Sequence, residues 1–265
     1  MKLIASDLDG TLFGPDHEVS EVTAEALRAV ADLGVEIVVA TGRSHWSAVP
    51  RLEHLGCVRW LIGSNGATVY DFELGDVVVR RPLRADQVRA VVEGVGKAFP
   101  TVGYAWESPE GVFHSDRWVR NRKATDSRFP VVERPTHELS IDRPEILKLM
   151  IAHDRLTEYD WLDAMADHVP SGLSASTSGA SFVEITASDA NKGAALRLLC
   201  DALGVDRTET MAFGDHSNDV AMLHWAGTGY AMANGAARIL EIADAVAPPN
   251  HEHGVAQVLT SLFLD

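Results

Sequence analysis

Two aspartates stand two positions apart, Asp7 and Asp9, directly after the short apolar run 3–6. In an extended chain, side chains two residues apart point the same way. Two neighbouring carboxylates repel one another, so a pair at the edge of a core favours a bound cation, and carboxylates with Mg²⁺ are a common arrangement for phosphate chemistry. A calcium loop of the EF-hand type is set aside, because Thr11 and Leu12 stand where that loop needs Asp or Asn and then Gly.

Three more polar clusters follow apolar runs or open a helix. They are Thr41-Gly42-Arg43 after the run 35–40, Lys192 at a helix start, and Gly214-Asp215 with Asn218-Asp219 after the run 208–213. Ligands of open α/β sheets bind beyond the carboxyl ends of the strands, so we expect these clusters to meet Asp7 and Asp9 there. Taken alone, the Thr-Gly-Arg cluster is typical of a strand-to-helix turn, and Lys192 of a solvated helix end. The prediction of one site therefore depends on the four clusters occurring together.

The elements that would position these clusters alternate between strand and helix. The apolar runs 3–8 and 35–40 predict buried strands, and the segment 20–33 between them has a helical pattern that stops at Gly34. This βαβ unit predicts two parallel strands with a right-handed crossover. The remaining elements of the same pattern are a strand at 58–62, a hairpin at 67–80, a helix at 191–203, strands at 208–213 and 229–231, a helix from 217 and a helix at 254–262.

The stretch 84–186 has a different pattern. It predicts a helix to about residue 99, short strands near 102–106 and 112–114, an irregular polar stretch, a strand at 146–152, a helix to about 168 and a strand near 182–186. We interpret it as an inserted, lid-like α+β domain. Residues 1–83 and 187–265 then form a doubly wound, Rossmann-like α/β core with a parallel sheet.

The motifs of the core, taken in order, resemble those of the haloacid dehalogenase superfamily. The matching strings are Asp7-Leu8-Asp9-Gly10-Thr11-Leu12, Thr41, Lys192-Gly193 and Gly214-Asp215-x-x-Asn218-Asp219. Four further strings are similar to the Cof-type subfamily with a type IIB cap: Ser64-Asn65-Gly66-Ala67, Asn191-Lys192-Gly193, Ala231-Met232-Ala233-Asn234 and His253-Gly254-Val255-Ala256. His216 and Gly235 depart from the common pattern, which affects the rim of the phosphate site and leaves the carboxylates in place.

This resemblance implies a Mg²⁺-dependent phosphatase with a covalent intermediate. Asp7 would attack phosphorus, and Asp9 would protonate the leaving oxygen and then activate water. The implied metal set is Asp7, the backbone carbonyl of Asp9, Asp215 and Asp219, with Asp219 acting through water or by orienting Lys192. The implied phosphate-binding set is Thr41, Gly42, Lys192 and Asn218. A phosphomutase with the same phosphoenzyme and a non-catalytic phosphometabolite sensor stay open as alternatives.

The expected substrate is a small phosphorylated metabolite such as a sugar phosphate, chosen largely by the inserted domain. The residues proposed to contact it are Arg43, Asn65, Trp106, His114, Trp118 and Arg120. The basic stretch 117–123 around Trp118 is otherwise typical of a solvated helix face. Specificity has no recognisable sequence code, so the pattern does not identify the substrate.

Charge and composition restrict the partners. Lys and Arg number 23 against 38 Asp and Glu, which gives a net charge of −15 and argues against a nucleic-acid binder, whose affinity rests on a basic surface. No apolar run approaches the ~18 residues of a membrane span, and the N-terminus reaches Asp7 too soon for a signal peptide. Cys57 and Cys200 form no metal or disulfide pattern. We therefore expect a cytoplasmic protein that is a monomer or a weak homodimer.

Overall fold

The computed structural model of the chain describes residues 1–109, 111–121, 134–135, 145–156, 158–178 and 180–264. Within it the chain divides into two units, Met1–Val79 with Asn191–Asp265, and Arg80–Ala190. The sequence placed these divisions several residues further in, at 83/84 and 186/187. Each unit has its own sheet, described separately below.

The strands and helices of the described residues are as follows. The strands are β1 (Leu3–Ser6), β2 (Glu36–Ala40), β3 (Val58–Gly63), β4 (Thr68–Asp71), β5 (Asp76–Arg80), β6 (Gly103–Ser108), β7 (Gly111–His114), β8 (Arg134–Pro135), β9 (Lys148–Ala152), β10 (Leu173–Ser176), β11 (Val183–Ala187), β12 (Thr210–Gly214), β13 (Thr228–Met232) and β14 (Ala245–Ala247). The helices are α1 (Glu21–Asp32), α2 (His45–Leu52), α3 (Ala85–Ala98), α4 (Asp116–Asn121), α5 (Glu158–Met165), α6 (Lys192–Leu203), α7 (Val220–Trp225), α8 (Ala237–Leu240) and α9 (Gly254–Phe263).

The first unit is built on an eight-stranded sheet in the order β14-β13-β12-β1-β2-β3-β4-β5. The pairs from β14 to β3 are parallel, and β4 runs antiparallel to β3. Alternate residues of β1 enter different apolar clusters, Ile4 one and Leu3 with Ala5 the other, so both faces of the sheet are buried. Burial on both faces explains the continuous apolar runs, and the expected α/β core with a parallel sheet is confirmed.

Local signals fix the ends of the helices that flank the site. The Ser20 hydroxyl accepts a hydrogen bond from the Thr23 amide at the start of α1, and Asn191 Oδ1 accepts one from the Ala194 amide at 2.8 Å at the start of α6. Gly204 ends α6 in the left-handed region, at φ +67°. The Asn191 cap makes Lys192 the first residue of its helix, at the end of α6 nearest the sheet edge where β1 and β12 stop.

The second unit has a six-stranded sheet in the order β10-β11-β9-β6-β7-β8, antiparallel apart from the β7–β8 pair. One side of the sheet packs on α3 and α5. The indole of Trp161 in α5 donates to the Ile151 carbonyl at 2.8 Å, and its ring contacts Phe99, the residue after α3, edge to face. The sequence missed β10, and it missed α2, α8 and β14 in the first unit. None of the described helices is long and apolar enough to cross a membrane.

Candidate active site

Asp7 and Asp9 occupy a tight turn at the end of β1. The Asp7 amide donates to the Phe213 carbonyl of the neighbouring strand β12 at 2.9 Å, which holds the turn beside the end of that strand. Gly10 has φ +82°, and a Cβ at this position would overlap the Asp215 carboxylate, so only glycine fits here. Asp7 is buried, whereas the side chain of Asp9 is 21% exposed. The two carboxylates therefore have different surroundings although they are two residues apart.

Lys192 connects the two acidic clusters of the core. Its Nζ donates to Asp7 Oδ1 at 2.5 Å and to Asp219 Oδ1 at 2.6 Å, and the lysine is fully buried. Burial alone would lower the pKa of the Lys192 ammonium, but Asp219 and Asp7 outweigh that effect and raise the pKa above its ordinary value. Lys192 is thus a buried cation between two carboxylates and not the solvated helix end that its position alone would suggest.

Asp219 ties the Lys192 ammonium to the loop after β12. Its second oxygen, Oδ2, accepts hydrogen bonds from the backbone amides of Asp215 at 3.0 Å and His216 at 2.9 Å. With Oδ1 on Lys192, both of its oxygens are engaged. Of the two roles expected for Asp219, orientation of Lys192 is the one that these contacts provide.

Three carboxylates in this region come close enough to hold one metal ion. Among the described residues, Asp7, Asp215 and Asp219 each offer an oxygen, and these oxygens lie within 4.8 Å of one another. Thr11 Oγ1 donates to Asp215 Oδ1 at 3.2 Å, which orients that carboxylate. The Asp9 carboxylate is engaged elsewhere, so its expected contribution to the metal is limited to the backbone carbonyl.

The pKa values of these carboxyls indicate a need for a cation. Burial raises the pKa of Asp7 to about 7, opposed by Lys192 and reinforced by Asp219. Burial also raises the pKa of Asp215 well above its ordinary value, and the charge of Asp7 adds to the effect. Lys192 alone does not compensate for the crowded negative charge. A hard divalent cation that prefers oxygen ligands fits this donor set, and Mg²⁺ is such an ion.

The turn after β2 brings Thr41 and Arg43 to the same edge. The Thr41 amide donates to the Ile62 carbonyl at 2.8 Å, and its hydroxyl accepts from the Arg43 amide at 3.1 Å. The Arg43 side chain, which the sequence assigned to substrate, donates from Nε and Nη2 to the two oxygens of Asp9, each at 2.6 Å. Sequence reasoning missed this ion pair.

The remaining polar residues of the core site are Asn65 and Asn218. Asn218 Nδ2 donates to Asn65 Oδ1 at 3.0 Å, which joins the turn after β3 to the loop after β12. Asn65 Nδ2 is buried and has no hydrogen-bond partner within the part of the chain that the structure describes. Both residues were assigned from the sequence to phosphate or substrate, and the structure brings them together.

The aromatic residues assigned to substrate in the second unit are buried. Trp106 stacks on Phe113 with ring centroids 5.9 Å apart, and Trp118 packs on Phe182 at 5.0 Å. The expectation of a solvated helix face does not hold at Trp118, whose indole is buried against Phe182, whereas the neighbouring Arg117 is exposed.

His114 and Arg120 complete the set of substrate residues expected in the second unit. His114 is also buried, with Nδ1 3.2 Å from the Ser115 carbonyl oxygen. Arg120 lies in α4, but its side chain falls outside the described part of the structure.

A buried charge cluster in the second unit was not foreseen. Lys148 Nζ lies 2.7 Å from Glu184 Oε1 and 3.5 Å from Glu107 Oε2, and all three residues are buried. Burial lowers the pKa of Lys148, but the two glutamates outweigh that effect and raise it overall. The three residues stand on adjacent strands β6, β9 and β11, and the sheet register that joins them is not visible in the sequence.

Comparisons with known proteins agree with this geometry. The family model described as haloacid dehalogenase-like hydrolase matches residues 4–259. Phosphatase YwpJ of Bacillus subtilis is 32% identical over 290 residues, which cover 99% of this chain and 100% of that protein. A solved haloacid dehalogenase-like hydrolase from B. subtilis aligns with a TM-score of 0.85 and 27% identity over 99% of this chain and 100% of its own. The subclass IIB sugar phosphatase BT4131 has the same fold, with a TM-score of 0.85 at 22% identity and full coverage of both chains.

Proposed function

The chain belongs to the haloacid dehalogenase superfamily, Cof type, and is a phosphomonoester hydrolase; from this premise we propose that it uses Mg²⁺ and Asp7 to hydrolyse a small sugar phosphate. One observation carries the proposal: Lys192, Asp219, Asp215 and Asp7 converge at a single edge of the sheet, with one buried ammonium between two carboxylates. This arrangement combines a nucleophile with the positive charge that a phosphoryl group requires.

In the first step the Asp7 carboxylate oxygen forms a bond to phosphorus as the bond from phosphorus to the leaving oxygen breaks. Asp9 gives its proton to that oxygen, so the alcohol leaves neutral. The product of this step is an aspartyl-phosphate. The part-exposed position of Asp9 beside the buried Asp7 is consistent with one group that faces phosphorus and another that reaches the leaving oxygen.

In the second step the Asp9 carboxylate takes a proton from water. The water oxygen bonds to phosphorus, the bond from phosphorus to Asp7 breaks, and inorganic phosphate is released. Asp9 is then protonated again and ready for the next substrate. The two steps return Asp7 and Asp9 to their starting states. The net reaction is hydrolysis of the phosphate ester by one water molecule.

Positive charge is necessary because the nucleophile and the substrate are both anions. At ~4 Å and an effective dielectric of ~20, each pair of unit charges interacts by ~4 kcal/mol, so an Asp7 carboxylate would repel a phosphate dianion by about twice that amount. Lys192 offsets part of this repulsion, and the Thr41 hydroxyl and Asn65 Nδ2 are suited to bind phosphoryl oxygens. Asp7, Asp215 and the Asp9 carbonyl would hold Mg²⁺, which when bound supplies the rest of the positive charge.

The second unit is proposed to choose the substrate, since Asp7, Lys192, Asp215 and Asp219 all belong to the first unit. The sugar phosphatase named among the solved structures makes sugar phosphates the first class to test. The test is a panel of phosphorylated sugars, polyols and cofactors assayed for released phosphate with Mg²⁺, with an Asp7→Asn variant as the control. Isomerised substrate without phosphate release would favour the mutase alternative, and no turnover of any ester would contradict the proposal.

A further inference from the structure

Arg43 is a buried arginine for which the two chemical steps above have no role. Its side chain is 3% exposed, and it holds both oxygens of Asp9: Nε donates to Oδ2 and Nη2 to Oδ1, each at 2.6 Å. Such a fork-shaped pair fixes the plane and the direction of a carboxylate, which a single point charge does not.

The arginine is itself held at several points. Its guanidinium lies 5.6 Å from the centroid of the Phe13 ring, its amide donates to the Thr41 hydroxyl at 3.1 Å, and its carbonyl accepts from the Ser64 amide at 2.8 Å. Asp9, in contrast, is part-exposed and stands on the turn that contains Gly10 at φ +82°. The well-packed member of the pair is therefore Arg43.

Among the residues that the structure describes, no other group near Asp9 provides this orientation. His17 Nδ1 lies 3.7 Å from Asp9 Oδ1, beyond hydrogen-bond distance, and its side chain is 45% exposed. The buried cation Lys192 donates to Asp7 and Asp219. The direction of the Asp9 carboxylate thus depends on the guanidinium.

We propose that Arg43 is a positioning residue that aims the Asp9 carboxylate at the leaving oxygen and at the attacking water. The assignment rests on the proposed function, in which Asp9 transfers the proton. A free aspartate side chain has two rotatable torsions, and a misplacement of ~1 Å can lower a rate by ~10²-fold. Loss of the fork therefore weakens proton transfer while Asp7 and the phosphate-binding groups stay in place.

Leaving groups separate this role from a structural or substrate-binding one. An aryl phosphate such as p-nitrophenyl phosphate expels a stable anion and needs little help from an acid, whereas an alkyl phosphate needs the proton. The value of kcat/KM reports the first chemical step, where the two esters differ. We expect Arg43→Ala and Arg43→Gln to lower kcat/KM by about 10²-fold for an alkyl phosphate and by less than about tenfold for p-nitrophenyl phosphate.

Three further measurements sharpen the test on the Mg²⁺-loaded enzyme. Arg43→Lys should behave like Arg43→Gln, because lysine lacks the fork. Added guanidinium ion at non-denaturing concentration should restore part of the alkyl phosphate activity of Arg43→Ala and none of that of Asp9→Asn. The inhibition constant of inorganic phosphate should change less than about threefold, since the groups proposed to bind the phosphoryl oxygens, Lys192, Thr41 and Asn65, stay in place.

Arg59→Ala is the matched control. Arg59 also forms an ion pair with an aspartate in the first unit, in which Nη2 donates to Asp71 Oδ2 at 3.0 Å and Nε lies 3.0 Å from Asp71 Oδ1. We expect this variant to keep the wild-type ratio of alkyl to aryl activity.

Equal losses for the two esters, or a phosphate inhibition constant that rises as much as kcat/KM falls, would overturn the assignment of Arg43. If wild-type protein hydrolyses neither ester nor any member of the panel, the proposed function fails and the assignment fails with it. If wild type is active and the dependence on leaving group is absent in the variants, the assignment alone fails.

Discussion

Replacement of Lys192 by methionine removes a buried positive charge and keeps most of the side-chain volume. The ammonium lies 2.5 Å from Asp7 Oδ1 and 2.6 Å from Asp219 Oδ1. At an effective dielectric of ~20, each of these contacts is worth ~7 kcal/mol of attraction before the desolvation of the charges is subtracted. Removing one partner from a buried ion pair costs about 3–5 kcal/mol, because it leaves a charge unpaired. We expect Lys192→Met to lower the free energy of unfolding by that amount at pH 8 without metal.

The loss of unfolding free energy caused by Lys192→Met should be smaller at pH 6 than at pH 8. Burial already raises the pKa of Asp7 to about 7 with Lys192 present, and without the ammonium the pKa rises further. A carboxyl whose pKa is raised in the folded state contributes stability below its unfolded pKa of ~4 and loses that contribution as the pH rises towards the folded value. Between pH 7 and pH 8 the variant therefore loses more stability through Asp7 than the wild type does, because a larger fraction of its Asp7 is still protonated at pH 7. For each pH unit over which the folded state binds one more proton than the unfolded state, the free energy of unfolding falls by ~1.4 kcal/mol.

Lys148→Met separates stability from chemistry. Lys148 is likewise a buried ammonium between two carboxylates, but it lies in the second unit. The Lys148→Met variant should lose a similar free energy of unfolding and hydrolyse p-nitrophenyl phosphate at a rate within about tenfold of wild type. Lys192→Met should lose at least about 10²–10³-fold in kcat, the usual effect of removing one group that stabilises transition-state charge.

The assay is urea denaturation of metal-free protein at pH 6 and pH 8, followed by tryptophan fluorescence and circular dichroism, with kcat measured on the folded proteins with Mg²⁺. A Lys192→Met protein as stable as wild type at pH 8, or one that retains wild-type turnover, would refute the electrostatic reasoning for this site.

Three more predictions concern the metal and the second unit. Excess chelator should abolish turnover and Mg²⁺ should restore it, while the larger Ca²⁺ restores it poorly; full activity in chelator would contradict the metal assignment. The apparent Mg²⁺ dissociation constant should fall as the pH rises from 6 to 7, by up to about tenfold for each proton released. Protons compete with the metal because the pKa values of Asp7 and Asp215 are raised. A dissociation constant that titration calorimetry finds independent of pH would be inconsistent with this prediction. Substitution of His114 should change relative kcat/KM among phosphorylated metabolites more than activity on p-nitrophenyl phosphate, and equal losses on all substrates would show that His114 acts only through packing.

The core and its site were largely predictable from the sequence. Short continuous apolar runs such as 3–6 and 35–40 indicated strands buried on both faces, and the polar clusters directly after them indicated the sheet edge. Asp7, Thr41 and Asp215 were expected to meet because parallel strands end at the same edge, whereas Lys192, at the start of a helix, was added because the four clusters occur together.

Other features depend on information that a linear pattern lacks. The Arg43–Asp9 pair joins side chains from two turns, and its geometry requires the orientation of both. The Lys148 cluster depends on strand register, and charged residues within a strand are usually solvated. The helix α2 contains Pro50, a residue that weakens a helical prediction, and β10 and β14 are too short to give a clear periodicity.

The covalent intermediate is the central feature of the proposed mechanism, and one measurement tests it most directly. Enzyme mixed with substrate labelled in the phosphoryl group is quenched in acid within one turnover, and the acid-stable label is located by peptide mapping. With an aryl phosphate, whose leaving group needs little help from the acid, we expect the label on Asp7 in wild type and no label in Asp7→Asn. Asp9→Asn should show a larger labelled fraction, because water activation is slowed by about 10²–10⁴-fold. Label on Asp9, or undiminished turnover by Asp7→Asn, would contradict the assignment of the nucleophile.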